Sequence, residues 1–216
     1  MLKKNFYFYS FLALSLPVFG QFESGVAATA LGTVPSVISV SYTHLPFLPK
    51  FYENPDQFAF PVELFFMAER FKQLKELLQQ KDMFQTLTVS DYLFTKCLLF
   101  AKVTLPEDEF RLYQRLFDII HQQLIQPDIL IYLHAPVSKL QANIRKRNRV
   151  YEQNISDDYL FNLQETYTNY IKQHNIKTLF VDASNADFLG NEKHLHVILH
   201  ALEKEYENGQ HYLTLP

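Results

Sequence analysis

Three arginines at alternate positions carry the clearest chemistry in this sequence. Residues 143–149 read Asn-Ile-Arg-Lys-Arg-Asn-Arg, so Arg145, Arg147 and Arg149 stand at i, i+2 and i+4 around Lys146. A guanidinium is always charged and presents planar paired donors, a geometry suited to a chain of phosphates. The same string also reads as a solvated basic helix end favoured by the macrodipole, and spacing alone leaves both readings open. Asn148 tolerates a left-handed conformation, which would end the helix there and put Arg149 on a loop. Other reactive side chains are sparse. The single Cys97 can form neither an internal disulfide nor a multi-thiolate metal site, which fits a reducing compartment. With 20 Lys+Arg against 23 Asp+Glu and a formal charge of -3, the chain lacks the positive excess needed to track a nucleic-acid polymer, and none is expected as a partner.

Those arginines need a scaffold, and the hydrophobic pattern supplies one. A chain of 216 residues, 48% of them apolar, is long enough to bury a full core. From Pro46 onward, helical-period segments alternate with short apolar runs. Leu64, Phe65, Ala68, Phe71, Leu74 and Leu78 predict one apolar helix face over 60–80. Leu93, Phe94, Cys97, Leu98 and Ala101 do so over 91–102, and Phe110, Tyr113, Phe117, Ile120 and Leu124 over 107–124. Runs at 84–89, 128–134 and 178–182 predict buried parallel strands, and charged segments at 137–149, 157–173 and 191–206 predict further helices. A repeated strand–helix unit implies an α/β fold with a helix-covered parallel sheet. Ligands in such sheets bind beyond the carboxyl ends of the strands, here the loops after Val89, His134 and Asp182.

The first 45 residues differ from the rest. They hold three charged side chains, Lys3, Lys4 and Glu23. Two lysines, an apolar stretch over 5–20 and the small residues Val18 and Gly20 before Gln21 follow the order of a secretory signal. The stretch is too short to span a bilayer, which takes about 20 residues, and no membrane partner is expected. Residues 21–45 show no periodicity.

Six strings in order resemble the deoxynucleoside kinase family. They are residues 46–56 (Pro-Phe-Leu-Pro-Lys-Phe-Tyr-Glu-Asn-Pro-Asp) with Phe58 and Phe60, 66–70 (Phe-Met-Ala-Glu-Arg), 99–102 (Leu-Phe-Ala-Lys), 127–133 (Pro-Asp-Ile-Leu-Ile-Tyr-Leu), 147–149 (Arg-Asn-Arg), and Glu152, Gln153 and Ile155 with Tyr159-Leu160. The resemblance runs from about 46 to 206. It implies a P-loop kinase-type parallel sheet flanked by helices, transfer of the ATP γ-phosphoryl group to the 5′-hydroxyl of a deoxynucleoside, ATP and Mg2+ as cofactors, and a homodimer. It further implies that Tyr52 and Glu152 meet the sugar 3′-hydroxyl, that Arg70 lines the nucleoside pocket, and that Phe100 packs on the base. Arg147 and Arg149 then clamp phosphates as lid arginines, with Arg145 beside them, and Asp187 and Phe188 cradle the adenine of ATP. No residue is assigned to a metal.

The chain also departs from that pattern. Where the family usually carries a glutamine that reads the base edge, Glu63 offers an acceptor pair, and the base-reading aspartate falls on Lys96. Those two could read a base with swapped polarity or simply form an ion pair. The family's Asp/Glu-Arg-Ser string falls on Ser90, Asp91 and Tyr92, and the first lid arginine on Asn143. Upstream, the nearest glycine string spans 20–27 with Val26 in place of the phosphate-loop lysine and Ala27 in place of the metal-binding hydroxyl, and the catalytic glutamate has no counterpart. The expected organisation is therefore a signal-like or foreign segment without a phosphate loop over 1–45, a kinase-like domain over 46–206 with its N-terminal strands incomplete, and a tail over 207–216. The expected activity is deoxynucleoside phosphorylation for nucleotide salvage, impaired in this truncated form, in the cytoplasm. Two alternatives stand beside it: a catalytically dead nucleoside-binding or helical interaction protein, and a thymidylate-like monophosphate kinase.

Overall fold

A computed structural model describes residues 4–10, 36–38, 50–51, 54–79, 87–90, 92–148, 153–188 and 191–216. Six strands form one sheet: β1 (Lys4–Ser10), β2 (Ser36–Ile38), β3 (Leu87–Ser90), β4 (Ile129–His134), β5 (Thr178–Asp182) and β6 (Gln210–Thr214). Their order is β2-β3-β1-β4-β5-β6, and every neighbouring pair is parallel. Among the described residues six helices accompany them: α1 (Pro55–Gln79), α2 (Thr95–Thr104), α3 (Glu107–His121), α4 (Val137–Arg147), α5 (Asp157–Gln173) and α6 (Glu192–Leu202). The predicted α/β class holds, with the parallel sheet flanked by helices.

Strand β4 shows why the sheet is covered on both faces. Its residues alternate, so Leu130 and Tyr132 join the cluster that includes Leu140, Ile144, Leu160, Leu163 and Tyr167 of α4 and α5. Ile129, Ile131 and Leu133 point the other way and pack with Leu179, Val181 and Ile198 of β5 and α6. Both faces being dry, the strand reads as a continuous apolar run. A third cluster joins α1, α2 and α3 through Met67, Leu74, Phe94, Leu98, Tyr113 and Phe117. Helix α2 is buried without a break from Thr95 through Ala101.

The structure adds strands at both ends of the chain. Lys4–Ser10, which in sequence falls in a signal-like opening, is β1 at the sheet centre, with Phe6 beside both Val89 and Ile129. A signal core and a central parallel strand both read as an apolar run, so composition does not separate them. The stretch expected as a tail contains β6, whose Phe180↔Tyr212 register extends the sheet beyond β5. From His211 to Thr214 it alternates half-buried and exposed positions, as an edge strand does, and its Gln-His-Tyr-Leu-Thr sequence gives no apolar run to notice. A turn leads into β6: Gly209 has φ +121, a conformation that L side chains rarely adopt, and its carbonyl accepts from the Thr178 amide at 2.8 Å. The glycine string over 20–27 lies outside the described residues. No described helix is long and apolar enough to cross a membrane.

Candidate active site

The strand order reverses about β1, which places a ligand crevice at the carboxyl ends of the central strands. From the carboxyl end of β3 the chain passes through Tyr92 into α2, and α1 packs alongside. Here the helix pattern breaks in an informative way. The buried stripe of α1 runs through Ala59, Val62, Glu63, Met67, Arg70 and Leu74, so two ionisable residues occupy core positions two turns apart. The sequence pattern had put Ala68 on the apolar face, but Ala68 is exposed, while Leu64, Phe65 and Phe71 are half-buried. The stripe was misplaced because apolar periodicity cannot count a buried Glu and Arg as interior.

Around those residues a polar cluster closes. Arg70, 2% exposed, donates from Nη1 to Gln73 Oε1 at 2.8 Å, and its guanidinium lies 4.7 Å from the centre of the Tyr92 ring. Lys96, 3% exposed, has Nζ 5.4 Å from the same ring centre. Two cations thus lie over one aromatic ring, each drawn by its quadrupole. The Tyr92 hydroxyl meets Cys97 Sγ at 2.9 Å, and the Tyr113 hydroxyl donates to the Glu63 carbonyl at 3.3 Å. Phe100 is buried, edge-on to Tyr167 with centroids 6.3 Å apart.

Glu63 departs furthest from the sequence expectation. Its carboxyl is met by the Thr104 hydroxyl, and the Lys96 ammonium rests over the Tyr92 ring. Burial, countered by Thr104, pushes the Glu63 carboxyl up from 4.5 to about 8. A neutral carboxyl has one donor and one acceptor, the pair an amide offers, so the acceptor pair read from sequence is replaced at pH 7 by a mixed one. The Tyr159 phenol, raised by burial and by the nearby Glu63, also bonds Thr104. Burial pushes the Cys97 thiol up to about 11, which keeps it protonated and inert.

The arginine string sits at the end of α4. Arg145 is exposed, and Asn148 takes the left-handed conformation expected of it, φ 53 and ψ 41, with its amide on the Ile144 and Arg145 carbonyls. Gln141 Nε2 reaches the Ile155 carbonyl at 2.8 Å, and Gln153 Nε2 the Ile144 carbonyl at 3.3 Å. These glutamines tie the two stems that flank residues 149–152. Ser156 caps α5 by accepting from the Tyr159 amide. Tyr52, Arg149 and Glu152 lie outside the described residues, as does the Arg147 side chain. Asp187 and Phe188 follow β5, with Asp187 exposed and its amide on His194 Nδ1 at 3.0 Å. So Glu63, Arg70, Lys96 and Phe100 come from one pair of packed helices, while Arg145 stands on the last turn of α4 and the Asp187–Phe188 turn follows β5. Sequence reasoning did not single out Tyr92, Thr104, Tyr113 or Tyr159, whose signal is only that each lies in a predicted helix or loop facing one of the residues it did choose.

The family model for deoxynucleoside kinase matches residues 26–206. This chain belongs to the deoxynucleoside kinase family. The deoxyguanosine kinase of Bacillus subtilis (strain 168) is 29% identical over 193 residues, which cover 84% of this chain and 90% of that one. The deoxyadenosine/deoxycytidine kinase of the same organism is 26% identical over 176 residues, 77% of this chain and 79% of the other. In architecture, the deoxyadenosine kinase from M. mycoides with bound dATP superposes with a TM-score of 0.71 at 20% identity, covering 93% of this chain and all (100%) of that one. The fold is therefore the P-loop kinase type, and membership makes this a nucleoside-phosphorylating family of transferases.

Proposed function

We propose that this chain binds a deoxynucleoside between α1 and α2 and is the body of an ATP-dependent kinase for its 5′-hydroxyl. The observation that carries this reading is the buried Glu63–Arg70–Lys96 patch with Phe100 beside it, held by two helices at the crevice of a deoxynucleoside kinase fold. Phe100 gives the base an apolar wall, Glu63 a donor and an acceptor for its edge, and Arg70 a fixed cation. Tyr52 and Glu152 hold the sugar hydroxyl in this reading. The polyphosphate of ATP fits the cationic donor set of Arg145, Arg147 and Arg149, of which Arg145 is exposed at the last turn of α4. Asp187 and Phe188 take the adenine side. Mg2+ would be carried on the phosphate oxygens of ATP. Bound Mg2+–ATP supplies the phosphoryl group.

Transfer is slow in this chain. Glu23 is the only charged side chain between Asn5 and Pro49, so that stretch offers no lysine for the phosphates and no second carboxylate to take the 5′-hydroxyl proton. A homodimer and a cytoplasmic location complete the reading, and Leu112 and Ile119, both exposed and two turns apart on α3, give a second copy an apolar stripe.

The test measures deoxynucleoside binding by calorimetry and phosphoryl transfer from labelled ATP to all four deoxynucleosides. The full chain is compared with a version whose residues 1–45 are exchanged for the matching strand, phosphate loop, helix and strand of the Bacillus subtilis deoxyguanosine kinase. The expected result is binding by both and fast turnover only by the exchanged version. Equal turnover would remove the claim of impairment. Transfer to deoxynucleoside monophosphates instead would favour the monophosphate kinase, and no binding by either would favour an interaction protein.

A further inference from the structure

His194 lies on the first turn of α6 at 5% exposure, and nothing above gives it a role. An apolar side chain would fill this place without desolvation cost, so the imidazole must have both nitrogens employed to belong there. They are. Nδ1 receives the Asp187 amide at 3.0 Å, and Nε2 lies 3.1 Å from the Pro216 carbonyl oxygen, with Asn191 Nδ2 at 3.0 Å from the same nitrogen. The Asp187 amide can only donate, so Nδ1 is bare and in the neutral ring Nε2 carries the proton, which the Pro216 backbone oxygen can accept and the Asn191 amide nitrogen, itself a donor, cannot. The ring is not needed to cap α6, because the Asn191 side chain already accepts the Lys193 amide. Phe188 stands edge-on to the imidazole, centroids 6.4 Å apart at 82°.

The imidazole therefore spans three segments. It joins the turn after β5, the start of α6 and the strand end beyond β6. The first half of the β5–α6 loop has its own pin, since Asp182 Oδ1 accepts from the Ser184 amide at 3.0 Å and from its hydroxyl at 2.6 Å, and the Ala183 amide bonds the His134 carbonyl at 2.7 Å. The second half is fixed by the Asn191 amide on the Asp187 carbonyl at 3.2 Å and by His194. We infer that His194 is a positioning residue for ATP: its bare Nδ1 sets the Asp187–Phe188 turn against the adenine, and the Pro216 carbonyl, by holding the Nε2 proton, fixes the tautomer that makes this possible. The inference rests on the reading of Asp187 and Phe188 as the adenine cradle.

Side-chain geometry supplies the test. In His194→Asn the amide oxygen falls where Nδ1 was and can accept the Asp187 amide, whereas His194→Gln reaches only toward Pro216, and His194→Phe keeps the ring and loses both bonds. On the full chain, ATP and deoxynucleoside affinities are measured by calorimetry, and hydrogen exchange is followed over residues 183–191 with and without ATP. Loss of one neutral hydrogen bond that orders the turn predicts about fivefold to tenfold weaker ATP binding in His194→Phe, with deoxynucleoside binding unchanged. His194→Asn recovers most of the ATP affinity and His194→Gln does not. ATP binding in His194→Phe equal to that of the unaltered chain, or Asn and Gln variants that behave alike, overturns the inference alone. If ATP fails to bind the unaltered chain or binds without slowing exchange over 183–191, the cradle reading falls and takes the inference with it. Should His194→Phe not fold, the Asn and Gln pair still decides.

Discussion

Replacing Glu63 by Gln should make the protein more stable at neutral and alkaline pH and leave it unchanged at acidic pH. The native carboxyl keeps its proton up to about pH 8, while the unfolded one releases it near 4.5. Between those values unfolding releases a proton, so the native state loses stability as pH rises, by about 1.4 kcal/mol per pH unit. Over the window from 4.5 to about 8 the sum is about 5 kcal/mol. Glutamine has the same size, carries no titrating proton and can still meet Thr104. The stability difference between variant and parent should therefore be near zero at pH 4.5, grow through the window and level off above pH 8. Urea unfolding followed by far-ultraviolet circular dichroism at pH 5, 6, 7 and 8 measures it directly, and all other carboxylates cancel because both proteins share them. Thr104→Val is the matching control: removing the hydroxyl that favours the charged form should extend the rise to higher pH. Parallel curves for Glu63→Gln and its parent at all four pH values would refute the reasoning, since they would mean that the carboxyl is solvated and ionised in the native state.

Two further expectations concern local structure. At Asn148, with φ 53, alanine should cost about 1 kcal/mol more than glycine, because a Cβ in the left-handed region crowds the following carbonyl; urea midpoints of the two variants compare them. Cys97, buried with its thiol pushed up to about 11, should resist iodoacetamide at pH 8 in the native state and react once urea unfolds the chain, with mass spectrometry as the readout and rapid native labelling as the contrary result.

Legibility in the sequence followed the physics of each element. Helix α5 and strand β5 begin and end where their patterns do, at Asp157–Gln173 and Thr178–Asp182, because a Ser156 cap and a fully apolar run are local signals. Asn148 was readable for the same reason, its side chain suiting the left-handed turn it makes. Strand β6 was not, since an edge strand buries little, and the central β1 was not, since its Phe-Tyr-Phe-Tyr run and a signal core look alike as strings. Within the site, the identities of Glu63, Arg70, Lys96 and Phe100 were readable only through family resemblance. The protonation of Glu63 was not, because it comes from burial against Thr104, which lies 41 positions away on another helix. His194 gave no signal at all, because one of its partners is a backbone carbonyl 22 residues distant in sequence.

Four of the seven buried polar residues among those described lie on α1 and α2, and all three buried charged ones do. Glu63, Arg70, Thr95 and Lys96 are all buried, and all lie on that one helix pair, beside an apolar cluster of α1, α2 and α3 that needs none of them. Replacing buried charged groups by apolar side chains of similar volume is often neutral or stabilising, so a sequence shaped by stability alone would carry Leu or Met at those positions. Helix α2 sharpens the point. It has no solvent face over Thr95 to Ala101, so its lysine is not there for solubility, and it lies against the Tyr92 ring that Arg70 also faces. The local rules of helix patterning are broken at the crevice of the sheet and kept in α3, whose Tyr113 and Phe117 face the core while Leu112 and Ile119 do not. A helix pair that carries buried charge its apolar packing does not need has given up stability at that place, and this supports the proposed reading of the pair as a nucleoside pocket.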